Sequence, residues 1–263
     1  MRFIQNDERE FKMMTGQKII DEMTQLIDED MSINLSRFFK TGPGEYGEGD
    51  KFLGIKVPVT RSIVKKYKDE ITLEDIEELI SSEWHEIRLA GFLLLVELYN
   101  KSIKTGNIDD SKTCVEFYLD NIHKGNNWDL VDLVSYKLLG DWITRNRDFE
   151  GILEQLSCMK GYLWHQRVAI VSTMALIKRG EFELTFKLAR NFLIHPHDLI
   201  HKATGWMLRE VGKRGGKEKL ILFLNEHKNK MPRTMLRYAI EKFTPEERKK
   251  FVPGKGVGER KKQ

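Results

Sequence analysis

Trp128 and Asp132 stand four residues apart in the segment NNWDLVD, residues 126–132. Asn126 or Asn127 is a suitable N-cap, so Trp128 to Trp142 reads as a helix whose buried face carries Val131, Val134 and Leu138. At 3.6 residues per turn, the indole and the carboxylate share one stripe at the margin of that face. A fixed carboxylate beside an aromatic face can stabilise positive charge developing on a substrate. The plainer alternative has Trp128 filling a gap between helices and Asp132 as a solvated first-turn acid favoured by the helix dipole, and spacing alone favours it.

Arg167 opens an apolar run, Val168–Val171 and then Met174–Ile177, that must be a buried helix. A cation at a helix start opposes the dipole, so Arg167 asks for an anion: an internal Asp or Glu, or a phosphate. Lys202, Trp206, Arg209 and Lys213 follow at i, i+4, i+7 and i+11, one stripe of a helix, opposite the apolar stripe Ile200, Ala203, Met207 and Val211. A basic stripe interrupted by an indole suits duplex DNA, with cations for phosphates and a ring for sugar or base. A solvated face with an incidental Trp explains the lysines but not an exposed Trp. His195, His197 and His201 lack an HExxH pattern or a third ligand of evident geometry, so no metal is expected there. Lys178-Arg179-Gly180 reads as a helix C-terminus, and Trp84, Trp142 and Trp164 read as core.

The elements that position these residues are helical. None of the six prolines lies between Pro58 and Pro196, and apolar residues recur at helical spacing across that span, as in Leu89, Phe92, Leu93 and Val96. Five segments repeat one pattern, a polar or charged residue opening an apolar helix, starting at Arg88, Asp129, Arg167, Lys202 and Arg233. Their steps are 41, 38, 35 and 31 residues. Each step accommodates a helical hairpin of the HEAT or armadillo kind, which runs to roughly 40–47 residues. The expected fold is all-α, a right-handed α-solenoid of HEAT-like helical repeats with a concave basic groove. One domain over residues 1–251 is expected, followed by a basic, disordered tail over 252–263. The Gly-rich stretch after Gly42 is not a Walker A loop, and Pro58 should open the helix through Val64 and Tyr67.

Composition narrows the function. The chain has 263 residues, 40% hydrophobic and 32% charged, and its longest apolar run, Phe92–Val96, is far short of the roughly 20 residues that span a bilayer. The first residues, MRFIQNDERE, lack the apolar core of a secretory signal. Cys114 and Cys158 form no CxxC motif, so a cytoplasmic setting without disulfides or zinc is expected. Residues 1–130 hold 17 Lys/Arg against 25 Asp/Glu, a net of −8, whereas residues 131–263 hold 27 against 15, a net of +12. Only six units of that net charge come from Arg248–Lys262, with its seven cations and one anion. The rest belong to the folded body, which makes a polyanion, nucleic acid first, the expected partner.

These constellations together resemble the DNA alkylation repair enzymes of the HEAT-like-repeat type, the AlkD-type alkylpurine DNA glycosylases. The resemblance rests on FLGIKVPVTRSIVKKY (52–67), HEIRLAG (85–91), NNWDLVD, HQRVAIV (165–171), the helix around Trp206, and RTMLRYAIEKF (233–243). It implies that Asp132 is the catalytic carboxylate, that Trp128 and Trp206 flank the lesion nucleotide, and that Arg167 contacts DNA nearby. Lys202, Arg209 and Lys213 would bind the backbone. The activity implied is hydrolysis of the N-glycosidic bond of N3- or N7-alkylated purines in duplex DNA, with no cofactor, no metal, no membrane, no obligate protein partner and a monomeric chain. Two rival readings are a non-catalytic DNA-binding paralogue and a HEAT-type protein scaffold.

Overall fold

A computed structural model describes residues 14–251; the expected basic tail lies outside the described residues. Among these the secondary structure is helical, with no strand beyond an isolated bridge between Lys51 and Trp84. No helix is long and apolar enough to cross a membrane. The chain divides after Cys114 into two compact units, and the division falls inside one helix, α6.

The first unit holds α1 (Thr15–Thr24), α2 (Glu29–Phe38), α3 (Val57–Tyr67), α4 (Leu73–Ile80), α5 (His85–Thr105) and the start of α6 (Ile108–Asp120). Pro58 sits in the first turn of α3, where its missing N–H costs nothing. Thr72 and Asp75 form a capping box on α4, and Asp75 also accepts the Gly16 N–H at 2.7 Å. RLAGFLLLV falls in the first half of α5, where every residue is buried, and α3 and α4 pack on this helix. Two buried carboxylates lock the preceding loop to α5. Glu86 accepts the N–H groups of Leu53, Gly54 and Ile55 at 2.9–3.0 Å. Asp50 binds His85 Nδ1 at 2.7 Å and the Arg88 guanidinium.

The second unit continues with α7 (Trp128–Asp132), α8 (Leu139–Arg145), α9 (Gly151–Cys158), α10 (Leu163–Ser172), α11 (Met174–Ile177), α12 (Glu183–Asn191), α13 (Asp198–Lys213), α14 (Lys217–His227), α15 (Arg233–Ala239) and α16 (Pro245–Lys249). The segments that open at Asp129, Arg167, Lys202 and Arg233 lie in α7, α10, α13 and α15, and each of these helices packs on the next. Helices α9, α12 and α14 pack against this row from the intervening positions. Close approach is enforced at Gly205, where a Cβ would come within 2.5 Å of the Met235 carbonyl and of the Tyr238 Cβ. Gly140 meets the Ser172 carbonyl in the same way.

One expected helix is broken. Trp128 to Trp142 is not continuous: α7 ends at Asp132 and α8 begins at Leu139. Between them the hydrogen-bond register slips, with Lys137 N–H reaching Val134 (i−3) and Gly140 N–H reaching Ser135 (i−5). The register change accompanies the fit of Gly140 against α10. The apolar reading survives it, since Val131, Val134 and Leu138 are all buried.

Candidate active site

Asn127 caps α7 by accepting the Trp128 N–H at 2.9 Å, so this five-residue helix starts on the indole and ends on the carboxylate of Asp132. Its brevity leaves Trp128 and Asp132 a turn apart on one side. Trp128 is half-buried, and the Asp132 side chain keeps 14% of its surface open.

Arg167 is not at a helix start. It lies in the second turn of α10, which begins at Leu163, so the expected conflict with the dipole does not arise. The anion it needs is internal: Nε donates to Asp132 Oδ1 at 2.8 Å and Nη2 to Oδ2 at 2.7 Å, a bidentate pair. Nη1 donates to the Leu199 carbonyl in the first turn of α13 at 2.6 Å. The Arg167 side chain is 6% exposed, and its guanidinium spans α7, α10 and α13. Burial pushes the Asp132 carboxyl above the usual aspartate range; Arg167 pulls it back, and Asp129 adds to the rise. Burial, with the Asp132 charge, also pushes up the Tyr118 hydroxyl and keeps it neutral.

On α13 the apolar stripe is as expected: Ile200, Ala203, Met207 and Val211 are fully buried. The opposite stripe differs in two respects. Trp206 is half-buried rather than exposed, and it stands seven residues past Leu199, about 10 Å along the axis. Each cation has a carboxylate beside it. Lys202 pairs with Asp198 at 2.9 Å, Arg209 with Glu241, and Lys213 with Glu210 at 3.1 Å. Glu210, itself buried, also holds Arg214 and lies 3.6 Å from Arg209. Burial opposes ionisation of Glu210, but Lys213 and Arg214 hold its pKa below the usual range. Trp142 is core as expected, whereas Trp84 and Trp164 are half-buried.

A model of the DNA alkylation repair enzymes matches residues 19–243. The chain belongs to the DNA alkylation repair enzyme family. A solved structure described as "Predicted DNA alkylation repair enzyme from Enterococcus faecalis" is similar at a TM-score of 0.64 and 16% identity, over 83% of this chain and 97% of that one. At that identity the likeness speaks for the shared helical fold. No curated protein matches the chain. Within this DNA alkylation repair enzyme, the residues missed by sequence reasoning are the ones that hold Arg167: the Leu199 carbonyl, and His197, which caps α13 by accepting the Leu199 N–H at its Nδ1. HPHDLI does contain the signal, a polar residue followed by an acid before an apolar run, but in sequence its histidines are weighed only as metal ligands and set aside. Among the described residues, no group of three or more His, Cys, Asp or Glu side chains is arranged to hold a metal ion.

Proposed function

We infer that this enzyme hydrolyses the N-glycosidic bond of N3- or N7-alkylated purines in duplex DNA. The observation that carries the reading is the Asp132 carboxylate, partly open to solvent, gripped at both oxygens by Arg167 and a turn away from the Trp128 indole. An alkylated purine is already cationic and leaves readily, so little acid assistance is needed. Its departure leaves an oxocarbenium-like deoxyribose. A carboxylate whose orientation is fixed beforehand stabilises that charge and can align the attacking water. The indole of Trp128, and that of Trp206 further along the row, would add a favourable face for the cationic sugar and base.

In this reading Arg167 sets the direction of Asp132, and its charge is available to a backbone phosphate only over the open edge of the pair. The row α7, α10, α13 and α15 would be the DNA-facing side of a right-handed solenoid of HEAT-like repeats. Lys202, Arg209 and Lys213 would contact phosphates by exchanging their carboxylate partners for them.

The test is release of methylated purines from alkylated duplex DNA by the wild type and by Asp132→Asn. Release by the wild type and loss in the variant, with duplex binding retained, supports the reading. Duplex binding without release by either protein would favour a binding-only paralogue.

A further inference from the structure

We propose that His197 is a positioning residue for Asp132, acting through the Leu199 peptide and Arg167. The inference rests on the reading of Asp132 as the reacting carboxylate. Leu199 is bonded at both ends of its backbone. Its N–H donates to His197 Nδ1 at 3.1 Å, and its carbonyl accepts Arg167 Nη1 at 2.6 Å. The remaining two contacts of that guanidinium are the Asp132 oxygens. The first turn of α13 is therefore the platform on which the Arg167 side chain is set, and His197 fixes that turn.

The turn before α13 is tied to α10 by a second histidine. His195 Nδ1 accepts the His197 N–H at 3.1 Å, and His195 Nε2 lies 2.9 Å from Gln166 Oε1. Gln166 Nε2 donates to the Ser157 carbonyl, which leaves its Oε1 as the acceptor for His195. Gln166 precedes Arg167 on α10. Both imidazoles thus accept at Nδ1, which requires the neutral form with the proton on Nε2.

An imidazolium at position 197 could not accept the Leu199 N–H, and its charge would stand at a helix N-terminus. The charged and titratable groups around it are Asp198, which favours that charge, and His195, His201, Arg167 and Lys202, which oppose it when they are charged. Burial and these cations hold the His197 pKa below the usual histidine value. Neutral pH therefore keeps the cap intact. Acidification through that lowered pKa releases the Leu199 N–H and loosens the anchor of Arg167.

The test compares His197→Ala, which removes the acceptor, with His197→Asn, which keeps a capping oxygen and cannot titrate. Single-turnover excision from N7-methylguanine duplex is followed between pH 5 and 8, with duplex affinity and thermal midpoint as controls. His197→Ala is expected to lose on the order of tenfold in rate at pH 7.5 with little change in duplex affinity, and His197→Asn to retain the rate. The wild-type acid limb should become shallower in His197→Asn. Imidazole nitrogen shifts should show His197 protonated on Nε2 at pH 7.5, a readout independent of excision. An unchanged rate in His197→Ala, an equal loss in both variants with the acid limb intact, or an Nδ1–H tautomer would overturn the proposal. Undiminished excision by Asp132→Asn would instead overturn the reading on which it rests.

Discussion

The Arg167 guanidinium takes both oxygens of Asp132 across the gap between α10 and α7, from 35 positions further along the chain. Removing Asp132 or Arg167 leaves the other charge without its partner in a mostly buried setting. Arg167→Ala should therefore cost about 3 kcal/mol of stability. Denaturant unfolding measures it, and a cost under about 1 kcal/mol would mean that the pair contributes little to holding α7 on α10.

Asp132→Asn should lower excision by about a hundredfold or more while changing duplex affinity only a few-fold, because the electrostatic stabilisation is lost in the transition state alone. Single-turnover rates and equilibrium binding separate the two effects. Equal losses in both would assign Asp132 to binding.

The Asp132 carboxyl titrates above the usual aspartate range because burial outweighs the pull of Arg167. Enzyme-dependent excision should accordingly fall, as pH drops, at a higher pH than an ordinary aspartate would give. The uncatalysed depurination of the same DNA is subtracted at each pH. A rate still flat at pH 4 would contradict an obligatory Asp132 carboxylate.

Asp50 titrates in the opposite direction. Burial alone would raise it, but His85 and Arg88 pull it below the usual range. A carboxyl depressed on folding contributes stability that is present above its unfolded pKa and is lost as pH falls through the folded one. Asp50→Asn should thus weaken the fold at pH 7 and flatten the loss of stability below about pH 4, in denaturant titrations run across that interval.

Much of the fold is legible in the sequence because helical periodicity and caps are local properties. Pro58 in the first turn of α3, Asn127 before α7 and the apolar stripe of α13 all stand where their neighbours in sequence require. The row α7, α10, α13 and α15 follows from one recurring pattern. The break at residues 133–138 is not legible, since Val134 and Leu138 keep helical spacing through it and the close approach at Gly140 involves a residue of another helix. Asp132 and Trp128 are visible as a pair because they share a turn. Arg167 is singled out in the sequence through a helix start that α10, beginning at Leu163, does not place there, and the choice of Asp132 as its partner is made between helices, where spacing carries no information. The stripe on α13 reads as four side chains free for a ligand, yet its carboxylate partners include Glu241, beyond α15, and the buried Glu210 on the helix itself.

Those partners temper the electrostatics of DNA binding. Lys213→Ala should weaken binding to all duplex sequences alike and lower the slope of log affinity against log salt by less than about one, because Glu210 already neutralises part of that charge. Binding isotherms at several salt concentrations give the slope. A sequence-dependent loss would place Lys213 at a base edge instead.

Gly205→Ala should destabilise the chain by about 1–3 kcal/mol, since its methyl meets the Met235 carbonyl and Tyr238. A thermal midpoint within a degree of wild type would show that α15 yields without cost.

The paired anchors ahead of α5 leave residues 40–49 as an excursion whose two ends already meet. Phe39 stacks on Phe52 at 5.0 Å, His85 stacks on Phe52, and Asp50 and the 53–55 backbone are held separately by α5. The tip between them is a natural position for length variation, where a trimmed, extended or probe-bearing loop should leave both clamps closed.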